Sequence, residues 1–233
     1  MSYPRVLLVL GAGPRVGLKV ARKFAGHGYK VALAARNPSE EASKTGDLLI
    51  RADFSDPSAV SAIFDKVKTS LGIPSVVVYN ASSCHNSPSD EPLSVPVSDF
   101  ITDLTVNTIS AFIAAQETIK GFDQLPSDVP KTFIYTGNIL NVAHGIMPAI
   151  TNAGVGKSAT AHFIASAAIA YPGKGYSFYY ADERKADGQP VVNAIDGDAH
   201  GDFYYELAQD AKQRPWLATF VKGKGYVHFP VHD

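Results

Sequence analysis

The residues near the start of this chain that could do chemistry are glycines and arginines. Gly11, Gly13 and Gly17 follow directly on the apolar run Val6-Leu7-Leu8-Val9-Leu10, and an amphipathic stretch comes after them. A glycine turn between a strand and a helix lets backbone N–H groups approach a phosphate, and the helix start adds a partial positive charge. With Val16, these residues form a candidate dinucleotide-binding turn. The spacing Gly11-x-Gly13-x-x-x-Gly17 departs from the dinucleotide fingerprint. An ordinary strand–helix turn needing positive φ would use glycine too.

A second group ends the next apolar run. Arg36 and Asn37 stand where a NAD site usually carries a carboxylate for the ribose 2′-OH. A guanidinium there suits the 2′-phosphate of NADP(H), because its forked donors stay charged. Arg15, inside the turn, is placed to clamp the same phosphate. Asp53 suits an adenine amino group, with Phe54 packed beside the ring, and equally suits a plain turn. Further on, Thr136, Asn138 and Asn141 form a polar cluster after a fifth apolar run, with His144 beyond them. Asn141 also suits a loop backbone contact. Tyr180 and Asp182 lie at and just past a sixth run, although Asp182-Glu183-Arg184-Lys185 also reads as a solvated charge run. His85, His162 and His200 read as surface residues, and no His/Cys spacing suggests a metal site.

The elements that must position these groups alternate between strand and helix. Strands are expected at 5–10, 30–35, 48–52, 75–79, 131–136 and 176–180, with a last short one at 226–229. Helices are expected at 16–27, capped by Gly28, and from the N-cap Asp56 with Pro57 to residue 71. Others are expected at 98–119, 152–171 and 198–212, with loops at 81–96 and 181–190. The expected fold is α/β: a single domain over 1–233, an open doubly wound parallel sheet of about seven strands with helices on both faces. Ligands of such sheets bind outside the C-terminal strand ends.

Composition narrows the partners. The net charge is -1 with no basic tract, which argues against nucleic acid. Cys84 is the one cysteine, so no disulfide closes within the chain, as expected in a reducing compartment. No signal-peptide pattern or membrane-length apolar run is visible, and a cytoplasmic protein acting on a small molecule is expected.

Over nearly its whole length the chain resembles the short-chain dehydrogenase/reductase family. The resemblance rests on residues 11–17, Ala34-Ala35-Arg36-Asn37, Asp53-Phe54, Tyr79-Asn80-Ala81-Ser82, Val106-Asn107-Thr108 and Gly156-Lys157-Ser158. It is similar also to a group of fungal members sharing the stretches 133–141 and 180–184. The family's turn is Thr-Gly-x-x-x-Gly-x-Gly; here Leu10 replaces the threonine and Arg15 the middle glycine. The resemblance implies a Rossmann-like fold, NADP(H), and Asn80 and Ala81 along the adenosine ribose.

It also implies a reaction centre of tyrosine, lysine, serine and asparagine. The lysine falls on Lys157 and the asparagine on Asn107, but the tyrosine position holds Ala153 and the serine position Asn138. Three readings follow. In the first, the protein is an NADPH-dependent reductase of a carbonyl or imine. Its proton comes from Lys157, from water relayed through Lys157 and Asn107, or from Tyr180 or Asp182, and Asn138 donates to the carbonyl oxygen. In the second, the scaffold serves non-redox chemistry. In the third, it is a catalytically inactive NADP-binding sensor or scaffold. Residues 181–216, with Tyr204, Tyr205 and Trp216, are expected as the substrate lid. The helices at 98–119 and 152–171 resemble the family's dimer-forming pair, which implies a homodimer or homotetramer.

Overall fold

The computed structural model describes residues 3–230. Seven parallel strands and one antiparallel edge strand form one sheet in the order β3-β2-β1-β4-β5-β6-β7-β8. The strands are β1 (Val6–Leu10), β2 (Lys30–Ala35), β3 (Leu48–Arg51), β4 (Val76–Tyr79), β5 (Lys131–Thr136), β6 (Tyr176–Arg184), β7 (Leu217–Val221) and β8 (Gly225–Tyr226). The pleat sends alternate side chains to opposite faces. Val6, Leu8 and Leu10 enter one core, while Leu7 and Val9 enter the other.

Helices α1 (Gly17–Ala25) and α7 (Gly197–Gln209) cover the second core. Helices α3 (Ala59–Ser70), α5 (Ser110–Phe122) and α6 (Thr151–Ala170) cover the first. A short α2 (Glu40–Ser43) precedes β3, and α4 (Val97–Leu104) precedes α5. The strand order reverses between β1 and β4, so the C-terminal ends of those strands flank the switch-point crevice.

Several expected boundaries shift. The helix after Asp56 starts at Ala59, because the Asp56 carboxylate accepts from Ser58 N and Oγ in a tight turn (3.0 and 2.6 Å). Helix α1 stops at Ala25, and Gly28 (φ +77°) instead turns the chain into β2. The long helix expected over 98–119 is broken by a π-turn, Thr105–Ile109, that carries Asn107.

The largest correction concerns β6. It runs on through Asp182, Glu183 and Arg184, all buried, where a loop was expected. Arg184 Nε pairs with Asp182 Oδ2 at 2.5 Å, and Glu183 Oε2 accepts from Asp196 N at 2.8 Å. Paired in this way, the three charges can lie inside a sheet. Their length also creates the edge on which β7 pairs, a strand not expected from the sequence. Of the strand expected at 226–229, only Tyr226 lies in β8.

Candidate active site

The glycine turn is built by backbone contact. Gly11 has φ +99°, and a Cβ there would stand 2.3 Å from Ala81 N. At Gly17 a Cβ would stand 2.6 Å from Gly11 O. Asn80 Nδ2 donates to Gly11 O at 2.8 Å and ties the turn to the end of β4. Gly13 differs, because an added Cβ would meet nothing within 4 Å. Its bare backbone faces an open cleft, as a close-approaching phosphate requires.

The cleft has two compartments of about 560 and 500 Å³, which share Gly13, Pro14, Asn80 and Ser82. Gly11, Ala81, Arg36, Asn37, Asp53 and Phe54 border the first. Arg36 is exposed and has no ion-pair partner among the described residues. Asp53 Oδ1 accepts from Ser55 N and Oγ at 3.0 and 2.9 Å; these bonds, and the Arg36 charge less strongly, hold its carboxyl below the usual range. Phe54 is buried, and its ring packs edge-on against Tyr79 at 5.7 Å, so it serves the core rather than an adenine face. Arg15 borders the second compartment with Val16, whereas Arg36 borders the first.

The second compartment lies over the ends of β5 and β6. Thr136, Gly137, Asn138, Lys157, Asp182, Glu183 and His200 supply its polar lining. Met147, Ile150, Val191, Val192 and Ile195 make the rest apolar. Val192 holds φ +50°, a strained conformation for a β-branched residue, on a segment that lines the compartment. Lys157 is 4 % exposed. Its Nζ donates to Thr136 O at 3.0 Å and sits 4.5 Å from the Tyr135 ring centroid. Burial lowers its pKa to about 8, against the opposing charge of Asp182. Burial likewise raises Asp182 to about 6, outweighing Arg184 and Lys157. Asn138 Oδ1 accepts from Leu140 N at 3.1 Å, which identifies the other amide end as NH2. That NH2 is a donor for a ligand oxygen.

Two expected catalytic groups, Tyr180 and Asn107, are bonded into the structure, and a third, Asn141, lies outside both compartments. Tyr180 is buried, and its hydroxyl donates to Asn138 O (2.9 Å) and accepts from Asn138 N (3.1 Å). Burial also pushes its pKa well up, so it is no proton donor to the cleft. Asn107 was expected to hold a water relay, but its oxygens are saturated. Its carbonyl accepts from Tyr135 Oη (2.9 Å) and Thr160 Oγ1 (2.7 Å), and its Oδ1 from Ser82 Oγ (3.1 Å) and Ser83 N (3.2 Å). Asn107 thus braces the loop after β4. Asn141 borders neither compartment, and its buried Oδ1 has no partner. His144 is exposed on a 3-10 turn and borders neither compartment.

Ala153 is buried and also borders neither compartment. The loop after β4 is tied down at this end of α6. Ser87 N donates to Ala149 O at 3.0 Å, and Asn152 Nδ2 bonds Asp103. Asp103 in turn accepts from Ser83 Oγ (2.5 Å) and His85 Nδ1 (2.8 Å).

Sequence reasoning missed Glu183 and His200. His200, expected at the surface, is 1 % exposed, held to Asp196 O at 2.7 Å and lowered by burial to about 4. Three consecutive charges at Asp182-Glu183-Arg184 show no apolar/polar alternation, so no local signal marks the strand there. The expected lid shrinks to the segment around 190–195, because 181–184 belongs to β6 and 197–209 packs on α1 as α7. Tyr204 is core, donating to Thr136 Oγ1 at 3.0 Å, and Tyr205 packs on Phe24. Trp216 packs against the first core. No helix is long and apolar enough to cross a membrane, and no metal-binding group of side chains occurs among the described residues.

Comparison with known proteins bears on family and fold. Residues 11–177 match the family model described as enoyl-(acyl carrier protein) reductase. The short chain dehydrogenase/reductase dmxR12 of Cryptosporiopsis sp. (strain 8999) is 42% identical over 243 residues, covering 99% of this chain and 96% of that protein. A short chain dehydrogenase from Burkholderia cenocepacia J2315 in complex with NADP superposes with TM-score 0.75 at 18% identity, covering 94% of this chain and 97% of that one. The 3-oxoacyl-[acyl-carrier protein] reductase from Brucella melitensis in complex with NAD superposes with TM-score 0.75 at 17% identity, covering 89% and 91%. At these identities the two structures speak for the fold.

Proposed function

The chain belongs to the short-chain dehydrogenase/reductase family of oxidoreductases, and on that premise we propose that it is an NADP(H)-dependent reductase of a small carbonyl or imine compound. The residues present fit the dinucleotide. The Gly11–Gly17 turn offers a cradle that a side chain at Gly13 would fill. Arg36 and Asn37 would take the 2′-phosphate, Asp53, Asn80 and Ala81 the adenosine half, and Lys157 the second ribose. When bound, the reduced nicotinamide supplies a hydride.

The observation that carries this reading is Lys157, a cation buried at the floor of a largely apolar compartment, with the free amide of Asn138 lining the same space. Asn138 would orient a carbonyl oxygen, and the apolar wall from Met147 to Ile195 would exclude water. A second reading, nucleotide binding without chemistry, draws on the buried Ala153. Self-association is also proposed. Val97, Ile101, Ile109, Phe112 and Val155 are exposed apolar residues on or beside α4, α5 and α6.

Calorimetric titration with NADPH and NADH tests the reading on the wild type, Arg36→Ala and Lys157→Ala. Losing a charge-assisted phosphate contact costs about 1.5–3 kcal/mol, so Arg36→Ala is expected to weaken NADPH by about 10- to 150-fold and to spare NADH. Failure of the wild type to bind either nucleotide sinks the proposal. Tight NADPH binding with no turnover over a panel of ketones and imines decides for the second reading.

A further inference from the structure

We propose that Asp182 is the group that recharges Lys157 with a proton, so that the two form the acid relay of this active site; the inference rests on the reductase reading. The pleat of β6 places Asp182 and Arg184 on the face toward α6, and Glu183 on the face toward α7. Arg184 Nε holds Asp182 Oδ2 at 2.5 Å, and its NH1 is anchored on Gly188 O at 2.9 Å. Asp182 Oδ1 has no protein donor among the described residues, nor is it one of the sealed unpartnered atoms. It therefore opens onto the compartment that Asp182 lines with Lys157 and Asn138.

Lys157 Nζ spends one hydrogen on Thr136 O, which leaves two for the cleft. Each group feels the other's charge. Lys157 otherwise faces Cys84 from the loop after β4 and the Tyr135 ring from β5. Asp182 faces Arg184 and Glu183 on its own strand, and its charge is felt by Tyr180 and by Tyr204 on α7. Neither tyrosine competes for the proton, because both are buried and bonded elsewhere.

The step balances. The carbonyl carbon gains a hydride, two electrons in all, from the reduced nicotinamide, which is oxidised. An N–H bond of Lys157 breaks as the substrate O–H bond forms. No ion pair joins the two among the described residues, so water in the compartment they share carries the proton from the Asp182 carboxyl to the neutral amine, and water at the mouth returns one to Asp182.

The test uses the full chain. The Lys157 Nζ signal of ¹⁵N-lysine protein is titrated by NMR in the wild type, Asp182→Asn and Asp182→Glu. Removing a facing anion is expected to move the Lys157 midpoint down by about 1 pH unit, and Asp182→Glu to restore it. Reduction of an activated 1,2-diketone by NADPH is expected to fall about 100-fold in Asp182→Asn, with NADPH binding retained. Should the orphaned Arg184 unfold that variant, Asp182→Asn with Arg184→Met removes the stray charge and carries the same expectation for turnover. An unmoved midpoint, or wild-type turnover in either variant, overturns the relay alone. A wild type that binds NADPH and reduces nothing overturns the reductase reading and the relay with it.

Discussion

Two glycines in this cleft, Gly137 and Gly13, should respond in opposite ways to the same added methyl. At Gly137 a Cβ would stand 2.1 Å from Tyr180 Cε1 and 2.4 Å from its Cδ1. That ring cannot yield easily. It is fully buried, stacks on Tyr135 at 5.5 Å, and its hydroxyl makes two bonds to the Asn138 backbone. Overpacking of this kind costs about 1–3 kcal/mol, and each displaced hydrogen bond adds about 1 kcal/mol. A total near 3 kcal/mol lowers Tm by about 6–12 °C for a chain of this length. At Gly13 the added Cβ meets nothing within 4 Å, so Gly13→Ala should keep Tm within about 2 °C. The methyl would then stand where a phosphate must approach the backbone, and NADPH should bind about 10-fold or more weakly. Differential scanning fluorimetry and calorimetric titration of both variants read these effects. An unchanged Tm in Gly137→Ala, or undiminished NADPH affinity in Gly13→Ala, would refute the steric reasoning.

Two further outcomes are expected. Burial lowers His200 from 6.5 to about 4, so the unfolded chain binds the extra proton in that window and stability falls as pH drops through it. Asp182, raised from 3.8 to about 6, acts in the opposite sense, because the native state binds the extra proton there. Urea midpoints at pH 7 and pH 5 should therefore drop more steeply in Asp182→Asn than in the wild type; equal slopes would contradict the assignment. For assembly, Ile101→Asp should yield a smaller species than the wild type in sedimentation velocity, and a wild type that sediments as a monomer rules out the apolar face as a self-association surface.

Local chemistry is legible without a fold. The glycine turn and the strand ends at Arg36 and Asp53 follow from nearest-neighbour pattern and spacing, and Lys157 from the family resemblance; Gly13, Arg36, Asp53 and Lys157 all border the cleft. The misreadings share one physical cause. Asp182-Glu183-Arg184 looks solvated in the sequence because the charges carry no sign of their partners, which lie at positions 196 and 200 and within the strand itself. His200 and Tyr180 were misread for the same reason, and Asn107 because its saturating donors come from residues 82, 83, 135 and 160.

The sequence by itself determined the α/β class and the glycine turn after the first strand, since each depends on residue type and local spacing. Tertiary structure alone decided which polar groups remain free. Tyr180, Asn107 and Asn138 are comparable candidates on paper. Only packing satisfied the first two with buried backbone partners, where an unmade hydrogen bond is costly, and left the Asn138 amide and the second oxygen of Asp182 facing the cleft.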